Sequence, residues 1–372
     1  MMLEPNSEPA LAAAVKEATG PLRIRGGGSR DYGRPFQGEV LSTAGLSGIT
    51  LYEPGALTIV AQAGTPIDQI EAELATNNQR LAFEPMDHRT LLGTVGTPTI
   101  GGIVAANVSG PRRVAVGAAR DFLLGVRFVD GQGDVIKNGG RVMKNVTGYD
   151  LVKLMAGAYG TLGVLTEVSL KVLPATEAAA TLVLKDLNVE QAIEAMSSAL
   201  GSPFDVNGAA YDGSTCNAYI RIEGFEKSVA YRTEQLSKHL AKIAKPSVAT
   251  GNDHSSIWAS QRDVASLANV EGDIWRISTR PSAAAKLLQD IVPTAYVLDW
   301  GGGLIWLAAP EGTDVRAKMA DGSGHATLIK ASAATRAQIA PFHPEPVPLA
   351  KLSQGLRDKF DPKGILNPGL ML

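Results

Sequence analysis

The sequence predicts an α+β protein of two domains, and three stretches carry that expectation. Residues 91–111 hold five glycines and two prolines and no ionisable side chain. That run is long enough to cross a bilayer, but its glycines and prolines argue against a regular spanning helix. It suits backbone that comes very close to a phosphate or an aromatic heterocycle, with Thr, Ser and Asn offering neutral hydrogen bonds. Further on, Val164, Thr166, Val168, Leu170 and Val172 alternate with Glu167, Ser169 and Lys171, the period of a half-buried strand. Beyond residue 181, short apolar runs alternate with amphipathic helical segments, which implies an antiparallel sheet with helices on one side.

In chain order, Ser7 is placed to cap a helix through Leu11, Ala14 and Val15, with Pro9 tolerated in its first turn. Residues 22–25 read as a strand broken by Gly26-Gly27-Gly28-Ser29, and 39–42 and 57–61 as further strands. Thr65-Pro66 opens an amphipathic helix through Ile67, Ile70 and Leu74. Residues 121–130 and 134–137 read as a hairpin closed at Gly131-Gln132-Gly133, and 150–158 as a short helix stopped by Gly160. The Ala-rich residues 175–180 are the expected domain boundary. After it, strands are expected at 182–187, 218–222, 275–279, 296–300 and 304–308, and helices at 189–200 and 282–291. Residues 343–348 read as an extended linker, followed by a helix to Phe360 and a rigid, turn-rich close. The domains are thus expected at 1–174 and 175–335, with 336–372 as a C-terminal segment.

Composition narrows the function. Lys plus Arg number 35 against 37 Asp plus Glu, so no strong field recruits nucleic acid or anionic lipid. Cys216 is the only cysteine, which excludes internal disulfides and a cysteine-ligated iron–sulfur cluster within the chain. The first residues lack the basic and apolar regions of a signal peptide, so the expected location is cytoplasmic. Residues 26–31 fail the G-x-G-x-x-G spacing because Asp31 closes them, and no P-loop, H-E-x-x-H or G-x-S-x-G is present. The five histidines show no metal-ligand spacing. Two phosphate-friendly glycine loops remain, the first an anion nest supplemented by the Ser29 hydroxyl.

Four motifs then recur in a known order: Arg25-Gly26-Gly27-Gly28-Ser29; Thr99-Ile100-Gly101-Gly102 with Ala106-Asn107-Val108-Ser109-Gly110; Gly160-Thr161-Leu162-Gly163-Val164; and Asp361-Pro362-Lys363-Gly364-Ile365-Leu366-Asn367-Pro368-Gly369. The chain resembles the FAD-binding oxidoreductases typified by vanillyl-alcohol oxidase and p-cresol methylhydroxylase (the PCMH type). Within them it is most similar to the E-subunit family of bacterial glycolate oxidase. The nearer likeness rests on Ser109-Gly110-Pro111-Arg112-Arg113, residues 119–126, residues 142–150 and Gly324-His325-Ala326-Thr327-Leu328.

The resemblance implies a two-subdomain PCMH-type FAD-binding domain and a smaller α+β cap with an antiparallel sheet. It implies that Arg25, Gly26, Gly27, Gly28 and Ser29 wrap the pyrophosphate, and that Thr99, Gly101, Gly102, Asn107, Ser109 and Gly110 line the diphosphate, ribitol and flavin. Gly163 and Val164 would offer main-chain groups towards the adenine end, Gly160 would also bind the cofactor, Asn367 would return to the flavin region, and Pro85 would lie near the isoalloxazine. Gly28 stands where covalent members often carry a histidine, so non-covalent FAD is expected. The implied partners are a catalytic flavoprotein D-like subunit and an iron–sulfur subunit, acting on a small 2-hydroxy acid. Any membrane association would be peripheral and through those partners. Related hydroxyacid dehydrogenases carry a histidine-rich cap motif; here residues 321–326 retain only His325, which reads as a general base or as a strand-end histidine bonded to backbone. Arg112 and Arg113 read as carboxylate or partner contacts or as solvated charge. A self-sufficient flavin dehydrogenase and a flavin-binding scaffold subunit are the alternatives to the oxidase-subunit reading.

Overall fold

A computed structural model describes residues 2–142, 148–320, 322 and 324–371. The motif at 142–150 and the cap segment at 321–326 therefore lie partly outside the described residues.

The first layer is a small parallel sheet in the order Met2–Leu3, Glu39–Ser42, Leu22–Arg25. The helix Glu8–Glu17 covers it, capped by Ser7, whose hydroxyl accepts the Ala10 N–H at 3.4 Å. Leu11 and Val15 share a core with Leu22, Leu41, Val164, Ile365 and Leu366, so the end of the chain packs on its beginning. A second, antiparallel sheet runs Ile49–Glu53, Thr58–Gln62, Val164–Lys171, Leu123–Val129, Val135–Gly139. The hairpin expectation holds from Leu123 onward, but Ala119–Phe122 forms a helical turn held by the Asp121 carboxylate, which accepts the Ala118 N–H at 2.8 Å.

The cap is an eight-stranded antiparallel sheet ordered Ser247–Ala249, Ala178–Leu184, Asn217–Gly224, Val206–Asp212, Ala295–Asp299, Leu304–Ala309, Asp273–Thr279, Gly324–Lys330. The Ala-rich stretch is not all linker, because Ala178, Ala179 and Ala180 already belong to the first cap strand. Trp275 and Ile277 face the cap helices Val189–Leu200, Glu226–Leu240 and Ala284–Ile291. Ile274, Trp306, Ala308 and Ile329 point the other way and join Phe83, Ile100 and Val104 in one core. Both faces of the cap sheet are therefore buried, one by its own helices and one by the first domain.

That domain joint is charged as well as apolar. Arg221, wholly buried, makes a two-pronged pair with Glu84 at 2.9 and 3.0 Å. Arg112 grips Glu223 at 2.7 and 3.0 Å and reaches Glu84 at 3.2 Å, and Arg80 meets Glu223 at 3.1 Å. Arg112 is thus neither solvated charge nor a free anion ligand; it ties the two domains together.

Candidate active site and cofactor groove

The strand Leu22–Arg25 delivers the first glycine loop to a groove that opens to solvent. Gly28 bridges Thr97 in parallel, with the Thr97 N–H donating to the Gly27 carbonyl at 2.9 Å. The Thr94 hydroxyl donates to the Ser29 carbonyl at 2.7 Å. A Cβ on Gly26 would sit 2.6 Å from the Thr99 hydroxyl, and one on Gly27 would fall on the Thr97 carbonyl. These two glycines let two loops lie against each other, and the paired loops make one wall. Gly101 does the same for the Ala63 segment, where an added Cβ would sit 2.6 Å from the Ala63 methyl. Gly28, at φ +76°, supplies a left-handed turn.

The opposite wall comes from residues 155–165 and from the C-terminus. Asn367 adopts φ +44° and joins the two walls: its Oδ1 accepts the Ile24 N–H at 2.8 Å, and its Nδ2 donates to the Tyr159 carbonyl at 2.8 Å. At one end of the groove the Tyr32 and Tyr159 hydroxyls stand 3.2 Å apart, and the Phe342 ring lies 4.9 Å from that of Tyr159, edge-on. His88 stacks on Tyr32 with ring centroids 6.3 Å apart. Burial, then the nearby Arg30 charge, drives its pKa down to about 3, so it is a neutral ring at any physiological pH. Tyr159 is held well above the ordinary phenol range, chiefly by desolvation.

The lining of the groove suits an anion. Arg23, Arg25 and Arg30 line it, and the guanidinium of Arg30 reaches the Gly102 carbonyl. Among the described residues no protein acceptor takes the N–H groups of Gly26, Gly27 or Gly28, which leaves a nest of donors beside cations.

Of the residues singled out from sequence, the groove brings together Arg25, Gly26, Gly27, Gly28, Ser29, Thr99, Gly101, Gly102, Gly160, Gly163 and Asn367. Pro85, Asn107, Ser109, Gly110, Val164 and His325 do not line it. Asn107 accepts the Arg120 N–H at 3.0 Å and Ser109 the Ala119 N–H at 2.9 Å, so both shape the turn behind the wall. Gly110 packs under the Glu84 carbonyl, Pro85 is buried, and Val164 is core. His325 stands on the cap strand opposite Ser278, and among the described residues its ring makes no hydrogen bond. Desolvation, then Arg276, His343 and Arg113, hold its pKa below the ordinary imidazole value. The ring is exposed by surface area, so the Arg276 and Arg113 guanidiniums are the firmer cause. Sequence reasoning missed Arg30, Tyr32 and Tyr159, although Arg30 directly follows the loop and Tyr159 directly precedes Gly160. It also missed Arg276, which only strand pairing brings near.

A cationic glycine-loop groove walled by residues 23–43, 99–106 and 155–165 and by Asn367 and Leu370 is the cofactor groove of an FAD-linked oxidoreductase of the PCMH type, with FAD as its cofactor. A family model described as FAD binding domain matches residues 1–139. The chain is 35% identical to the glycolate oxidase subunit GlcE of Escherichia coli over 100% of its own length and 99% of that protein's. It therefore belongs to the glycolate oxidase GlcE family. It is also 39% identical to the glycolate oxidase subunit GlcD of Bacillus subtilis, over 27% of this chain and 21% of that protein. The D-lactate dehydrogenase of Anaerostipes hadrus is 31% identical over 42% of this chain and 31% of the relative. Among solved structures, alkyldihydroxyacetonephosphate synthase superposes with a TM-score of 0.69 at 16% identity, covering 99% of this chain and 76% of the other, which speaks to the fold alone.

Proposed function

We propose that this chain is the FAD-binding subunit of a multisubunit glycolate oxidase that converts glycolate to glyoxylate. The observation that carries this reading is the end-to-end match to a protein named as a subunit of that oxidase. The lone cysteine, exposed on the cap, supports placing the iron–sulfur cluster in another subunit, with a D-like flavoprotein as the second partner. Among the described residues no helix is long and apolar enough to cross a membrane, and we place the assembly in the cytoplasm.

When bound, FAD supplies the acceptor for the hydride equivalent leaving the alcohol carbon. This chain's residues do the holding. The N–H groups of Gly26, Gly27 and Gly28, with Arg25 and Ser29, would hold its pyrophosphate, and Thr99, Gly101 and Gly102 would hold its ribityl side, while Asn367 pins the two walls. Gly160 and Gly163 line the groove, and Pro85, Asn107, Ser109, Gly110 and Val164 support those walls from behind or beside. His325, kept neutral by its cationic neighbours, is able to accept a hydroxyl proton. The test is to purify the chain with and without its D-like and iron–sulfur partners, then assay glycolate-dependent reduction of an artificial acceptor together with flavin content. Flavin in this subunit and activity in the assembly are expected; an assembly that is fully active without this chain would end the proposal.

A further inference from the structure

The cap carries a cationic cluster that the cofactor groove does not use. In the sheet, Arg276 pairs opposite both Trp306 and Thr327, and Ser278 opposite His325. Directly paired residues share a face, so these five side chains stand together on the face that meets the first domain. The guanidinium carbon of Arg276 lies 5.2 Å from the centroid of Trp300 and 5.8 Å from that of Trp306. From across the joint, Arg113 sets its own guanidinium carbon 4.7 Å from Trp300.

The neighbouring arginines are fully engaged: Arg112 and Arg221 hold Glu223 and Glu84. Arg113 and Arg276 differ. Among the described residues neither side chain makes an ion pair or a hydrogen bond, and both rest on tryptophan faces. Beside Arg276 the nearby carboxylate is Asp299, but it is buried, it accepts the Trp300 N–H at 2.7 Å, and burial pushes its pKa up to about 7. Arg276 is thus a half-buried cation without a committed counter-charge, and Arg113 beside it has only the exposed Asp121 acting on it, so an anion would complete the site. Stacking on an aromatic face leaves the N–H edge of a guanidinium free, and that edge is a fork matched to a carboxylate. The charge of Arg276 also acts on Tyr32 and Tyr159, the two phenols that end the cofactor groove.

We propose that Arg276, with Arg113 beside it, binds the carboxylate of a small 2-hydroxy acid in this chain itself. The substrate would then be held between the cap sheet and the Tyr32–Tyr159 end of the groove, with His325 on the same face. The assignment rests on the oxidoreductase reading above, and it gives this subunit its own acid-binding site beyond the role of cofactor carrier.

The test uses the full chain loaded with FAD, and oxalate as an unreactive probe, titrated by calorimetry, with flavin content and melting temperature read on the same sample. Arg276→Gln should weaken oxalate by about tenfold or more, the loss of a charge-assisted fork, and Arg113→Gln by less. Arg276→Lys keeps the charge and serves if the Gln variant fails to fold; it should still bind more weakly than wild type, because an ammonium cannot form the fork. The proposal is overturned if the flavin-loaded wild type ignores oxalate, if inorganic phosphate binds as tightly, or if the folded Arg276 variants match wild type. Oxalate binding that depends on Arg276 in a chain that takes up no flavin would uphold the anion site while removing the reading of the groove.

Discussion

Asn367 and Ile24, 343 residues apart in sequence, are joined by one hydrogen bond of 2.8 Å. The same amide reaches Tyr159, so a single side chain near the C-terminus holds both walls of the groove. Replacing it with Ala leaves the Ile24 N–H and the Tyr159 carbonyl without their partner and should cost about 1–3 kcal/mol. Denaturant unfolding and flavin occupancy should fall together in Asn367→Ala. Full occupancy at wild-type stability would show that the C-terminal strap is dispensable.

Gly27 separates two accounts of the first loop. From sequence alone, an Asp there weakens binding because its charge and its side chain would both face the pyrophosphate. In the structure, the missing Cβ faces the Thr97 carbonyl, so the glycine serves the packing of loop on loop. Gly27→Ala should therefore lose flavin nearly as severely as Gly27→Asp. An alanine variant with wild-type flavin content would restore the charge argument.

Among the described residues no histidine or cysteine lines the groove, and Cys216 is exposed on a cap turn. FAD should be held without a covalent bond. Acid precipitation should release all the flavin into the supernatant, and a washed pellet that stays yellow would contradict this.

The joint between domains predicts an acid limit. Burial alone would raise Glu84 and Glu223, but Arg221 and Arg112 outweigh it for Glu84, and the Arg112 hydrogen bonds do so for Glu223, leaving both below the ordinary value of 4.5. A folded-state pKa below the unfolded one contributes stability that is complete above the unfolded value and is lost as pH falls toward the folded value. Unfolding free energy should hold at neutral pH and decline below about pH 4.5, and Glu223→Gln should flatten that decline. An unchanged slope in the variant would take the acid limit away from this cluster.

Arg221→Met should cost about 3–5 kcal/mol, because it takes the two-pronged partner from the buried Glu84 carboxylate and leaves it only Arg112. Pairing it with Glu84→Gln should recover part of the loss. Two effects that simply add would show that the residues do not act as a pair.

Local chemistry made much of this legible from sequence. The Ser7 cap, the alternation through Val164–Lys171 and the glycine loop after Leu22–Arg25 each declare themselves within ten residues or so, and the structure keeps them. What stayed hidden depends on distant neighbours. Asn107 and Ser109 look like ligand donors until Arg120 and Ala119 are seen to occupy them. Arg112 looks like surface charge until the cap strand brings Glu223 against it. Arg276 has no motif at all, since its meaning comes from tryptophans that sheet pairing and a short 3₁₀ turn place beside it.

The charged joint also decides how this protein is able to move. A hinged cap would have to pull Arg80 and Arg112 away from Glu223, and Glu84 away from Arg221, each time it opened. Those contacts act as rivets, not as a latch. Traffic through the molecule must therefore use side-chain gaps and the open mouth of the groove.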